Sequence, residues 1–227
     1  MFSGIFANRS KYPGWVREYL SLDFKTEVQQ SIWAPAYIVL DCETTGIARK
    51  DQIVTIGAVE VKGKSISLGH LLDIHLPLSE NSVAATIHEE LADQSGPFEI
   101  IEALQEVLAF LQNRPIVGHH ISFDIRKLNQ LFQEYFPGFK LKNQVLDTMI
   151  LTRRLDPVRY ERNVAGNESM QLDVLCEEFG IIIENRHTAL GDAFLTAQLF
   201  QRLLPKLEQR GIKTLSALVR SPGLFSG

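Results

Sequence analysis

The sequence predicts an α/β domain built on a mixed five-stranded sheet flanked by helices. Two observations carry this. Three consecutive segments, 36–40, 52–62 and 66–76, are rich in apolar and β-branched residues and lie close together, as meandering strands do. Two shorter segments of the same kind, 115–118 and 143–146, then alternate with stretches of helical period, which adds strands separated by helices to the same sheet.

The elements follow in chain order. Lys62-Gly63-Lys64 makes a tight connection between the second and third strands. Helices are expected over 87–94 and over 98–112, the latter opening at Pro97, a residue suited to a first helical turn. Residues 122–136 place Ile125, Leu128, Leu131, Phe132 and Phe136 on one helical face. Further helices are expected near 147–154, 171–179 and 189–209. Ahead of the sheet, Trp15, Val16, Tyr19 and Leu20 have the spacing of a short amphipathic helix. Arg9, Lys11 and Arg17 interleave there with Tyr12, Trp15 and Tyr19, a mixture that could stack bases and touch phosphates. Apolar spacing signals packing more directly, so a helix laid on the domain is the expectation. The chain thus divides into an N-terminal helical extension (1–34), a central domain (35–204) and a C-terminal extension (205–227).

At 227 residues, 45% hydrophobic and 22% charged, the chain can bury one sizeable core and has the make-up of a soluble globular protein. It shows no apolar run long enough for a membrane span and no signal-peptide pattern, and its two cysteines, Cys42 and Cys176, do not make a disulfide framework. A cytoplasmic setting is expected. A net charge of −4 argues against a long nucleic-acid footprint and leaves room for a short one.

Five residues carry chemistry. Asp41 and Glu43 follow the apolar run Tyr37-Ile38-Val39-Leu40, and in an extended segment residues two apart face the same side. Thr44-Thr45-Gly46 reads as the turn after them. Asp124 closes Gly118-His119-His120-Ile121-Ser122-Phe123-Asp124, and His187 precedes Asp192 by five positions. Carboxylates held close raise one another's pKa; divalent ions such as Mg²⁺ or Mn²⁺, which prefer hard oxygen ligands, relieve that cost. Two such ions can clamp the attacking and leaving oxygens of an in-line phosphodiester displacement, with His187 taking the proton of the attacking water. Each piece alone has a plainer reading, as a polar turn, a helix N-terminal acid or a structural histidine. The ordered combination is what points to a metal-dependent nuclease.

These segments resemble the three motifs of the DEDD-type 3′→5′ exonucleases, the family of the proofreading epsilon subunit of bacterial DNA polymerase III and of ribonuclease T. Ile38-Val39-Leu40-Asp41-Cys42-Glu43-Thr44-Thr45-Gly46 is similar to the first motif. Ile116 through Asp124 is similar to the second, and His187-Thr188-Ala189-Leu190-Gly191-Asp192-Ala193 to the third, in its His-containing (DEDDh) form. The resemblance runs from about Ala36 to about Leu204, with lesser echoes at Leu146-Asp147-Thr148 and Leu172-Asp173-Val174-Leu175-Cys176. His120 departs from it, standing where the family often has Asn.

The resemblance implies a ribonuclease H-like fold and two ions, Mg²⁺ or Mn²⁺. Asp41 would bind both, Glu43 and Asp192 would complete one site, Asp124 would serve the other, and His187 would be the base. Backbone groups around Thr44, Thr45 and Gly46 would hold the terminal nucleotide. The implied reaction releases nucleoside 5′-monophosphates from single-stranded 3′ ends, DNA before RNA. An RNA-trimming enzyme and a binding module with a dead site are the alternatives. A polymerase or clamp partner would be met through the terminal extensions.

Some residues stay outside this scheme. Arg153, Arg154, Arg159 and Arg162 concentrate positive charge between the second and third motifs and could hold phosphates if they line the cleft. His119 and His120 could orient their motif; His70, His75 and His88 have no ligand spacing. The tail Ser221-Pro222-Gly223-Leu224-Phe225-Ser226-Gly227 faintly resembles clamp-docking peptides.

Overall fold

The computed structural model describes residues 11–25, 29–77, 99–156 and 170–220. The helix expected at 87–94, together with Arg9, His88, Pro97, Arg159, Arg162 and the 221–227 tail, lies outside these residues.

Five strands form one sheet: β1 (Ala36–Thr44), β2 (Ile53–Lys62), β3 (Ser65–His75), β4 (Ile116–Gly118) and β5 (Val145–Asp147), in the order β3-β2-β1-β4-β5. β1, β2 and β3 are antiparallel; β4 and β5 join parallel to β1. The mixed sheet expected from the sequence is therefore present. Seven helices are described: α1 (Gly14–Ser21), α2 (Ile100–Leu111), α3 (Ser122–Tyr135), α4 (Thr148–Leu155), α5 (Leu172–Glu178), α6 (Ala189–Gln209) and α7 (Leu215–Val219). No helix among the described residues is long and apolar enough to cross a membrane.

The two faces of β1 explain the architecture. Ile38, Leu40 and Cys42 point to a core shared with α1, α2 and α3. Tyr37 and Val39 point to a second core shared with α4, α5, α6 and α7. Because side chains alternate along a strand, Asp41 and Glu43 continue the second face, toward α6. β1 runs on to Thr44, so both carboxylates sit within the strand, and only Thr45 and Gly46 belong to the turn.

α1 packs where its apolar spacing places it. Val16, Tyr19 and Leu20 are buried, and Trp15 lies edge-on to Phe136, their ring centroids 5.3 Å apart. The Tyr19 hydroxyl donates to Asn143 Oδ1 (2.6 Å) and accepts from the Lys142 amide (2.8 Å). These aromatic rings are spent on packing. α7 was not legible in the sequence: five residues are too short for periodicity to show. Leu215 and Leu218 bury into the second core, and the Leu215 amide bonds to Gln30 O, tying this segment back to residues ahead of β1.

Candidate metal centre and active site

Three of the five predicted residues converge. Asp41 and Glu43 from β1 and Asp192 from the first turn of α6 each offer a carboxylate oxygen, and these oxygens all lie within 4.8 Å of one another. The approach of helix to strand is set by Gly57, which pairs with Asp41 across β1 and β2. A Cβ there would lie 2.2 Å from the Ala189 carbonyl carbon, so only glycine lets α6 begin directly over this point. Thr188 caps α6 by accepting from the Gly191 amide at 3.1 Å.

Asp124, in the first turn of α3, lies outside that compact trio. Its Oδ1 accepts the Cys42 amide at 3.1 Å. β4 ends at Gly118, so β1 has no ladder partner on that side at Cys42, and the carboxylate takes the place of one. Asp124 is buried, and burial pushes its carboxyl up to about 7. Burial also holds the Asp41 carboxyl well above the usual range; the charges of Asp124, Asp192 and Glu43 push the same way, and Arg186 partly offsets them. Asp192 Oδ1 is buried with no hydrogen-bond partner among the described residues. Mutually repelling, desolvated carboxylates with an unsatisfied oxygen fit a site for divalent cations.

His187 is exposed at the rim, with a left-handed backbone (φ 63°). It lines a cleft of about 580 Å³ together with Asp41, His119, His120, Arg186 and Asp192. It also lines a more apolar groove of about 490 Å³ that runs past Glu43 to Leu68, Leu71 and Ile182. His187 therefore shares a cleft with Asp41 and Asp192 while remaining in contact with solvent.

The turn after β1 is built internally. The Thr44 hydroxyl donates to Gly46 O (2.8 Å), and the Thr45 amide donates to Gln52 O (2.9 Å). Of the backbone groups around Thr44, Thr45 and Gly46, the Thr45 N–H and Gly46 O are thus engaged within the turn itself. Lys127, a buried lysine on α3, reaches under the loop and donates to Ala48 O (2.7 Å) and Asp51 O (2.6 Å). Ile47 stands at the apex, 91% exposed.

Sequence reasoning passed over Arg186. It donates from Nε to Asp173 Oδ1 and from Nη1 to Asp192 Oδ2, and these bonds raise its pKa despite burial, which acts to lower it. Its place beside His187 was the available signal. His119 is held on both sides: its ring bonds Thr148 Oγ1 and Met170 O, both at 2.8 Å. The phosphate role considered for Arg154 is not what the structure shows, because its Nη1 and Nη2 donate to Leu218 O (2.8 Å) and Ala217 O (2.9 Å) at the end of α7.

Residues 38–200 match the protein-family model described as Exonuclease. The chain is 31% identical over 185 residues to the DNA polymerase III PolC-type of Caldanaerobacter subterraneus, covering 80% of this chain and 12% of that protein. It is 32% identical over 191 residues to a DNA polymerase III subunit epsilon-like protein of Rhodobacter capsulatus, covering 81% of this chain and 26% of that one. The chain therefore spans a minor part of these relatives. In fold it is similar to E. coli exonuclease I in complex with a dT13 oligonucleotide (TM-score 0.61, 15% identity, 78% of this chain and 42% of that chain). It is also similar to the nuclease domain of 3′hExo, a DEDDh family member bound to rAMP (TM-score 0.54, 14% identity, 77% and 94%). These likenesses bear out the ribonuclease H-like fold.

Proposed function

Because the chain belongs to the exonuclease family, we propose that it is a divalent-metal-dependent enzyme that removes nucleoside 5′-monophosphates stepwise from single-stranded 3′ ends, DNA in preference to RNA. The observation that carries this reading is the meeting of Asp41, Glu43 and Asp192 within 4.8 Å, beside Asp124 and under the rim that presents His187. The polymerase names of the relatives and the oligonucleotide held by E. coli exonuclease I support DNA as the substrate.

Each residue has a part in this reading. Asp41, Glu43 and Asp192 would hold one Mg²⁺ or Mn²⁺ ion, and Asp124 with Asp41 would serve a second. Bound there, the ions would relieve the repulsion among the carboxylates and stabilise charge on the attacking and leaving oxygens. His187 accepts the proton of the attacking water and passes it to solvent from the open rim. Thr44, Gly46 and the loop held by Lys127 shape the wall against which the terminal nucleotide lies. A polymerase or clamp partner, reached through residues 1–34 or 205–227, is part of the proposal and is tested by copurification with the full chain and with each segment deleted.

The direct test uses 5′-labelled single-stranded DNA and RNA of one sequence, incubated with Mg²⁺, Mn²⁺ or EDTA beside Asp41→Ala. A metal-dependent ladder shortening from the 3′ end, absent with EDTA and in the variant, is expected, and faster on DNA. Faster shortening of RNA would make the enzyme an RNA trimmer. Absence of cleavage under every condition would leave a binding module or a subunit that needs its partner.

A further inference from the structure

Arg186 stands between two carboxylates from different helices. Its Nε–H holds Asp173 on α5, and its Nη1–H holds Asp192 on α6. The two partners differ in setting: the Asp192 side chain is 9% exposed and that of Asp173 43% exposed. The buried partner, Asp192, is also one of the three carboxylates grouped within 4.8 Å, and its Oδ1 has no hydrogen-bond partner among the described residues. The guanidinium therefore already occupies one oxygen of a group that the proposed metal needs. Two cations at one carboxylate repel, the more so where that carboxylate is largely buried, as Asp192 is.

We propose that Arg186 is a resident counter-ion that partly offsets the charge of the carboxylate cluster while no metal is bound and withdraws from Asp192, keeping Asp173, when a divalent ion enters. This rests on reading Asp41, Glu43 and Asp192 as metal ligands. The local backbone suits a side-chain movement over a fixed main chain. Asn185 and His187, on either side of Arg186, both adopt left-handed conformations (φ 52° and 63°). The Thr188 hydroxyl donates to Asn185 O at 2.8 Å, and Gly191 lies so close that a Cβ there would be 2.0 Å from the same oxygen. The main chain on either side of Arg186 is thus held by contacts at Asn185 O, so a change of partner at Asp192 falls to the long arginine side chain. Its Nε bond to the outward Asp173 keeps the charge at the cleft wall after Asp192 is released. The metal-free enzyme then avoids bare carboxylate repulsion, and the ion gains its ligand by exchange of one cation for another.

The test follows Mg²⁺ binding to the full chain by calorimetry, and the Arg186 guanidinium by ¹⁵N NMR in the same titration. Bonded on both sides, the metal-free guanidinium should give distinct Nη signals; saturating Mg²⁺ should merge them while the Nε–H signal keeps its Asp173-bonded shift. Arg186→Met should bind Mg²⁺ about tenfold more tightly, because a competing charge is gone, and its metal-free form should melt a few degrees lower. Binding of Mg²⁺ with no change in the Nη signals would overturn the proposal and leave the metal reading intact. Absence of Mg²⁺ binding by the wild-type chain would overturn both. The NMR arm needs no substitution, so it decides the matter even if Arg186→Met does not fold.

Discussion

The Cys42 amide donates to Asp124 Oδ1 across 3.1 Å, so the acid of the second motif is fastened to the strand of the first between Asp41 and Glu43. One carboxylate thus both completes the edge of β1 and adds charge to the site. Asn keeps the acceptor oxygen and discards the charge. Asp124→Asn should therefore fold, with turnover lower by about 10²-fold or more if the charge serves a metal. Circular dichroism and single-turnover cleavage separate the two roles; a fully active Asp124→Asn would remove Asp124 from the metal-binding set.

His187→Ala should lower turnover by about 10²- to 10⁴-fold, the usual worth of a general base, while leaving Mn²⁺ affinity within about twofold, since no carboxylate ligand is touched. Calorimetry beside rate measurement checks this. Loss of Mn²⁺ binding would make His187 a ligand.

Stability of the metal-free protein should depend on pH with opposite slopes from the buried carboxyls, Asp124 together with Asp41, and from His119. Burial pushes Asp124 up to about 7 from an ordinary 3.8, so its contribution is most favourable below 3.8, weakens as pH rises and is at its least above about 7. Burial pushes His119 down to about 4 from 6.5, so its contribution is intact above 6.5 and is lost as pH falls toward about 4. The His119 shift corresponds to about 3 kcal/mol. Urea unfolding of the wild type, Asp124→Asn and His119→Gln across this range should show each slope lessen in its own variant, Asp41 keeping part of the carboxyl slope in Asp124→Asn. Saturating Mg²⁺ should flatten only the carboxyl slope.

Lys127→Met should loosen the loop after β1, because two carbonyls, Ala48 O and Asp51 O, lose their shared donor. The expected cost is about 1–3 kcal/mol. On the proposed reading, in which the loop positions substrate and holds none of the grouped carboxylates Asp41, Glu43 and Asp192, KM should rise more than kcat falls. A changed kcat at constant KM would contradict this role.

Gly57→Ala should damage activity without altering any of the five chemical residues. The added methyl meets backbone of Ala189 and Leu190 at 2.2 Å, so α6 must shift away from β2 and carry Asp192 with it. Overpacking of this kind costs about 1–3 kcal/mol. A displacement of about 1 Å at the reacting groups can cost about 10²-fold in rate. Thermal melting and turnover in saturating Mg²⁺ check both parts.

The convergence of Asp41 and Glu43 was legible in the sequence because strand periodicity is local: two residues apart means the same face. The order of strands and helices was legible for a similar reason, as each apolar period reports its own element. What escaped were relationships between distant segments. Nothing in the sequence joins Arg186 to Asp173, Lys127 to the carbonyls of residues 48 and 51, or Arg154 to α7, since a long polar side chain can reach in many directions. Asp124 was identified by its place in a motif, but its bond to the Cys42 amide depends on β4 stopping at Gly118, a fact of pairing rather than of composition.

The close seating of α6 on Gly57 bears on how related chains are judged active or inactive. An inventory of acids and histidines would pass a chain that carries alanine at this position, although its α6 would be displaced and its Asp192 moved relative to Asp41 and Glu43. Another chain with a conservative change among the ligands but an intact helix seat could retain its dimensions and regain function with a different ion. Whether such a site is silent is therefore decided as much by a missing methyl on the neighbouring strand as by the residues that would do the chemistry.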